Sequence, residues 1–191
     1  MQKYFHNYRL VTVAVVRILS ALTIFINPFW GFWIYATVDV FDSFFLFYWA
    51  RISLGEYHLI DKYLDWIGYI VMIIVSIKLM AFPLLLALFL LRLFGQIVFL
   101  VTREDKYFIF FPNFFEFSFA YVVFLEARGI NLLSTKLEYY LIYSVILLIQ
   151  IIREVGLHLW WPRYWRKNGN PEFMRDLGFK IKKSFWRGWH A

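Results

Sequence analysis

The chain has 191 residues, of which 62% are hydrophobic, 24% aromatic and only 17% charged, and its formal net charge is +7. A soluble domain is about half apolar and about a quarter charged, so a single water-facing globule is excluded and an all-α, polytopic membrane protein is predicted. With no cysteine, disulfides, thiol nucleophiles and thiolate-held metals are excluded; the basic excess points to cytoplasmic loops and anionic lipid headgroups, and no nucleic-acid partner is expected.

Six transmembrane helices are predicted. The first, about Leu10–Ile26, is interrupted by Arg17 and is followed by no small-x-small cleavage site, which marks a retained span rather than a leader. After the turn "NPFWG" the second runs from about Phe29 to Trp49, and the polar connection "ARISLGEYHLIDK" follows. From Trp66 to Val101 only Lys78 and Arg92 are charged. That stretch far exceeds a hydrocarbon core of about 30 Å at about 1.5 Å per residue. It therefore divides into two spans around "IKLMAFP", where Pro83 suits the first turn of a new helix. Beyond "TREDK" a fifth span is expected over about Tyr107–Leu125, and beyond "EARGINLLSTKLE" a sixth over about Tyr139–Ile152.

With six spans both termini share one side of the bilayer. Fifteen lysines and arginines then fall on that side, three (Lys78, Arg128, Lys136) fall opposite, and Arg17 and Arg92 lie within spans. The bias places the termini, the Asp-rich connection and "TREDK" in the cytoplasm, most simply at a cytoplasmic (inner) membrane. Residues 1–157 form the transmembrane domain. The tail, 158–191, interleaves five of the nine tryptophans with lysine and arginine and reads as an interfacial segment on anionic headgroups.

Four of the six aspartates stand as two pairs, Asp39/Asp42 and Asp61/Asp65. Positions three or four apart share a helix face. The connection joining the two helices is cytoplasmic, so both pairs lie at one membrane level and can surround a single point. Four clustered carboxylates repel unless something neutralises them. A hard divalent cation, Mg²⁺ or Mn²⁺, suits oxygen ligands, and four carboxylates can hold two ions. Arg17, Arg92 and Arg153 lie toward the cytoplasmic ends of spans one, four and six, and together with Arg103 and Lys106 they are candidates for a phosphate site beside the metals, Arg92 first among them. Asn113 and Glu116 share a face in "FFPNFFEF" and are expected to hydrogen-bond Arg92.

The stretch "DVFDSFFLFYWARISLGEYHLIDKYLD" resembles the signature of the CDP-alcohol phosphotransferases, D-x2-D-G-x2-A-R-x8-G-x3-D-x3-D. "DVFD" matches the first acidic pair and "DKYLD" the second, with the gap from Asp42 to Asp61 one residue longer than the pattern. Ser43 stands for the glycine after the second aspartate and Tyr57 for the second glycine, while the Ala-Arg pair occurs one helical turn late at Ala50–Arg51. The resemblance implies a six-span enzyme of phospholipid synthesis, commonly dimeric. Asp39, Asp42, Asp61 and Asp65 would hold metal, and Asp65 would act as general base on the acceptor alcohol. Ser43, Arg51 and Tyr57 fall on the nucleotide side of such a site. The implied activity is transfer of a phosphatidyl-type group from a CDP-linked or related lipid donor to an alcohol. The alternative is a non-catalytic relative serving as a membrane scaffold or partner subunit. A small transporter is disfavoured by the lack of paired broken-helix segments.

Overall fold

The computed structural model describes residues 7–50, 54–102, 104–134, 136–156 and 158. Arg51, Arg103, the side chain of Tyr57 and the tail beyond His158 lie outside the described residues. The described chain is all-helical: α1 (Tyr8–Ile26), α2 (Pro28–Phe44) continuing into a π-turn (Phe45–Trp49), α3 (Leu54–Ser76), α4 (Phe82–Thr102), a 3-10 turn (Asp105–Phe110), α5 (Phe114–Glu126), a 3-10 turn (Leu132–Ser134) and α6 (Leu137–Val155).

Two of these helices, α1 and α4, are long and apolar enough to cross a membrane by length and composition. In α3 the charges Asp61, Lys62 and Asp65 interrupt the apolar run, and α6 carries Glu138, Arg153 and Glu154 near its ends. The fifth helix differs from expectation. It starts at Phe114 rather than Tyr107, because residues 105–110 form a 3-10 turn and Pro112 has no N–H to continue a helical ladder. With 13 residues it is about 20 Å long. The third helix begins earlier than expected, at Leu54, so both of its aspartates sit within regular helix.

α1 and α2 form a tight antiparallel hairpin. Asn27 serves both ends of the turn: its N–H donates to the Thr23 carbonyl, and its side chain accepts from the Trp30 N–H, with Pro28 opening α2. A Cβ on Gly31 would come within 2.5 Å of the backbone of Thr23 and Ile24, so only glycine allows this approach. At the other end Asn7 donates to the Ala50 carbonyl (2.8 Å) and Arg9 to the Trp49 carbonyl (2.9 Å). Those bonds satisfy carbonyls that the π-turn leaves free and fix α1 against the end of α2. Farther along, the Glu126 carboxylate at the end of α5 accepts from the Ala81 N–H (3.3 Å) just before α4, a cap supplied by another helix.

The core is aromatic and gathers around α5, whose Phe115, Phe119, Val122 and Leu125 are fully enclosed by the other helices. Beside this apolar core the bundle also buries charges and leaves large hydrophobic side chains on its exterior. Arg17, Asp42, Asp65, Arg92, Gln96 and Glu154 are buried, whereas Ile26, Val40, Val101, Leu137 and Ile152 are 63–86% exposed. So much exposed hydrocarbon is a liability in water. Replacing Gly31 by alanine should force the hairpin open by overpacking, at a cost of about 1–3 kcal/mol; a lowered unfolding midpoint in detergent checks this, and an unchanged midpoint would refute the close approach.

Candidate acidic centre

The antiparallel hairpin decides which residues meet. Arg17 lies ten residues before the Asn27 turn and Asp39 twelve after it, so their Cα atoms stand at about 15 and 18 Å along their helices. Side chains on α1 tilt toward its N-terminus and those on α2 back toward the turn, which closes the remaining offset. The third helix brings Asp61 and Asp65 to the same level.

All four carboxylates converge on one guanidinium. Arg17 Nη1 donates to Asp42 Oδ2 and, at 3.0 Å, to Asp61 Oδ1; Nη2 donates to Asp39 Oδ1 and, at 2.6 Å, to Asp65 Oδ1. Arg17 is 1% exposed and Asp42 likewise 1%. Lys62 adds a second cation, its Nζ lying 2.6 Å from Asp61 Oδ2 and 2.9 Å from Asp65 Oδ2. Two cations against four carboxylates leave the centre two charges negative when all are ionised. Oxygens of Asp39, Asp61 and Asp65 lie within 4.8 Å of one another, close enough to share a metal ion. Satisfaction is incomplete: Asp42 Oδ1 and Arg17 Nε are buried without hydrogen-bond partners. A buried acceptor without a donor costs the full desolvation of that group, and a cation is the ligand such an oxygen lacks.

Tyr35, one turn before Asp39 on the same face, forms the floor of the centre with its ring 5.9 Å from the Arg17 guanidinium carbon. Its buried hydroxyl has no partner. Gly68 makes room for it, since a Cβ there would collide with the Tyr35 ring. The sequence pattern does not single out Tyr35, and it offers Lys62 only as an ion-pair partner for the aspartates, which is where the structure places it. Their spacings from Asp39 and Asp65 were the available signals.

The remaining candidates are placed differently. The Ser43 hydroxyl donates back to the Val40 carbonyl of its own helix (3.3 Å). Arg92 belongs to a neighbouring polar cluster between α3, α4, α5 and α6. It donates to the Tyr69 hydroxyl (3.3 Å) and the Phe111 carbonyl (3.2 Å) and pairs with Glu154 at 3.7 Å. Asn113 reaches Arg92 through the same Tyr69 hydroxyl (3.0 Å). The two clusters adjoin at Phe108, whose buried ring has Arg92 at 4.5 Å on one side and Lys62 at 5.8 Å on another. Lys106 is exposed and paired with Glu104, whose hydrogen bond raises the lysine pKa and keeps it cationic.

Compared with protein-family models, with curated proteins and with solved structures, the chain matches none. The functional reading therefore rests on the sequence pattern and on the geometry of the acidic centre. Glu154 also meets Arg153 at 3.3 Å and His158 at 3.0 Å, so Arg92→Met removes one of three partners and should cost about 1–3 kcal/mol, with Arg92→Met plus Glu154→Gln recovering part of that loss. A double-mutant cycle on unfolding free energy tests this; strict additivity would show that the two groups are not coupled.

Proposed function

We propose that the chain is a six-span membrane enzyme of the CDP-alcohol phosphotransferase type, using divalent metal at its acidic centre to build a phospholipid. The observation that carries this reading is the convergence of Asp39, Asp42, Asp61 and Asp65 on one buried point. Embedding in a bilayer is supported by α1 and α4, which have spanning length and composition, and by the broadly apolar exterior around a core that also holds buried charges. Charge bias in the loops favours a cytoplasmic position for the centre.

Asp39, Asp61 and Asp65 fit a Mg²⁺ or Mn²⁺ ion, since their oxygens lie at ligand spacing; Asp42, whose Oδ1 lacks a partner, would be a further ligand, and the centre is short of positive charge. Bound metal neutralises the phosphate charge of a nucleotide leaving group. Asp65 takes the proton of the acceptor hydroxyl as its oxygen attacks the lipid-bearing phosphorus; the bond from that phosphorus to CMP breaks, and CMP leaves. Arg17 stands close enough to hold a donor phosphate once its carboxylate partners turn to metal. Arg92 is already engaged by Glu154 and Tyr69, so the phosphate role falls to Arg17 before Arg92. Ser43, Arg51 and Tyr57 would border the nucleotide.

One observation favours the alternative, a non-catalytic scaffold: Arg17 and Lys62 already engage every carboxylate of the cluster. Purified protein given radiolabelled CDP-diacylglycerol, Mn²⁺ and a panel of alcohol acceptors separates the two. CMP release is expected, falling about 10²-fold or more in Asp65→Asn. No metal-dependent release, or release indifferent to Asp65→Asn, would leave the scaffold.

A further inference from the structure

Arg17 is an unusual partner for a metal-binding cluster. Its two Nη atoms carry four hydrogens, and each is directed at a different aspartate. The guanidinium thus sits where a cation shared by the four carboxylates has to sit. Arginine satisfies a carboxylate best through two parallel N–H···O bonds to one partner, and here each aspartate receives only one. Here Nε is buried with no acceptor, while Asp42 Oδ1 is buried with no donor. The arrangement neutralises charge but wastes one donor and one acceptor, and the Tyr35 hydroxyl beneath it is also unpartnered. A side chain this enclosed with its bonding incomplete marks a place-holder, not an optimised structural pair.

We infer that Arg17 is a tethered counter-cation that occupies the acidic centre and competes with divalent metal for Asp39, Asp42, Asp61 and Asp65. The inference rests on the metal reading given above and adds a regulatory element to it. Without metal, Arg17 keeps four carboxylates together that would otherwise drive the helices apart. With metal, the guanidinium is displaced and becomes available to an incoming phosphate. Competition of this kind is reciprocal: the factor by which Arg17 weakens metal binding is the factor by which bound metal weakens the hold of Arg17 on the carboxylates. Lys62 cannot substitute, since among the described carboxylates it pairs with Asp61 and Asp65 and not with Asp39 or Asp42.

The test is a titration of Mn²⁺, followed by the electron paramagnetic resonance of the free ion, on full-length protein in detergent. Wild type, Arg17→Gln and Arg17→Lys are compared. Arg17→Gln is expected to bind Mn²⁺ about tenfold more tightly than wild type, within the usual range for coupled sites. Millimolar methylguanidinium should then return its affinity toward the wild-type value, which a structural role for Arg17 would not produce. Without metal, Arg17→Gln should unfold at a lower temperature than wild type, and Mn²⁺ should raise its midpoint by more. If Arg17→Gln does not fold, Arg17→Lys carries the test, because a compact ammonium with three donors cannot serve four carboxylates and should also yield tighter Mn²⁺ binding. Wild-type binding with no gain in either variant would overturn the competitor role and leave the metal site standing. Absence of Mn²⁺ binding in all three proteins would overturn both.

Discussion

Four carboxylates held around one buried guanidinium are the constraint on which the rest of the molecule turns. A charge removed from water is tolerated only when it is paired and hydrogen-bonded, and here five ionisable groups from three helices pair with one another, leaving Arg17 Nε and Asp42 Oδ1 unmet. The cluster therefore dictates that α1, α2 and α3 be neighbours at one level. The Asn27 turn, the close approach at Gly31, and the bonds from Asn7 and Arg9 to the end of the π-turn all serve that alignment. Helix α3 is pinned twice, by its aspartates and by Gly68, which admits Tyr35.

The other half of the bundle is organised by a different kind of contact. Around α5 the core is a lattice of edge-to-face rings, such as Phe115 with Tyr69 at 5.9 Å and with Phe89 at 5.5 Å. Arg92 threads this region through Tyr69, Phe111 and Glu154. Phe108 joins the halves: it lies in the turn after α4, yet its ring meets cations from both clusters. Movement of that turn would be felt at Lys62, and through Lys62 at Asp61 and Asp65.

Much of this was legible in the residues. The helical class, the break before Pro83 and the shared faces of the aspartate pairs follow from composition and spacing, because periodicity reports which side chains point together. Loop charge bears only on orientation. What spacing does not report is which partner fills a cluster. Arg17 reads equally as a snorkelling side chain, a phosphate ligand or a counter-ion, and only the hairpin geometry puts its guanidinium between both pairs. Tyr35 was hidden among aromatic neighbours, since one tyrosine in "FWIY" carries no pattern of its own. The start of α5 was obscured for a similar reason: "YFIFF" is apolar throughout and offers no period to separate a 3-10 turn from a helix.

The π-turn at Phe45–Trp49 gives the chain a way to absorb length. Each turn of that kind carries about one residue more than an α-turn, so a helix can lodge an inserted residue as a local widening without shifting what lies before it. Asp39 and Asp42, upstream, keep their orientation whatever happens there, and Ala50 is still caught by Asn7. Two acidic pairs that flank such a bulge can therefore differ in sequence separation while their side chains still meet at one level of the bundle.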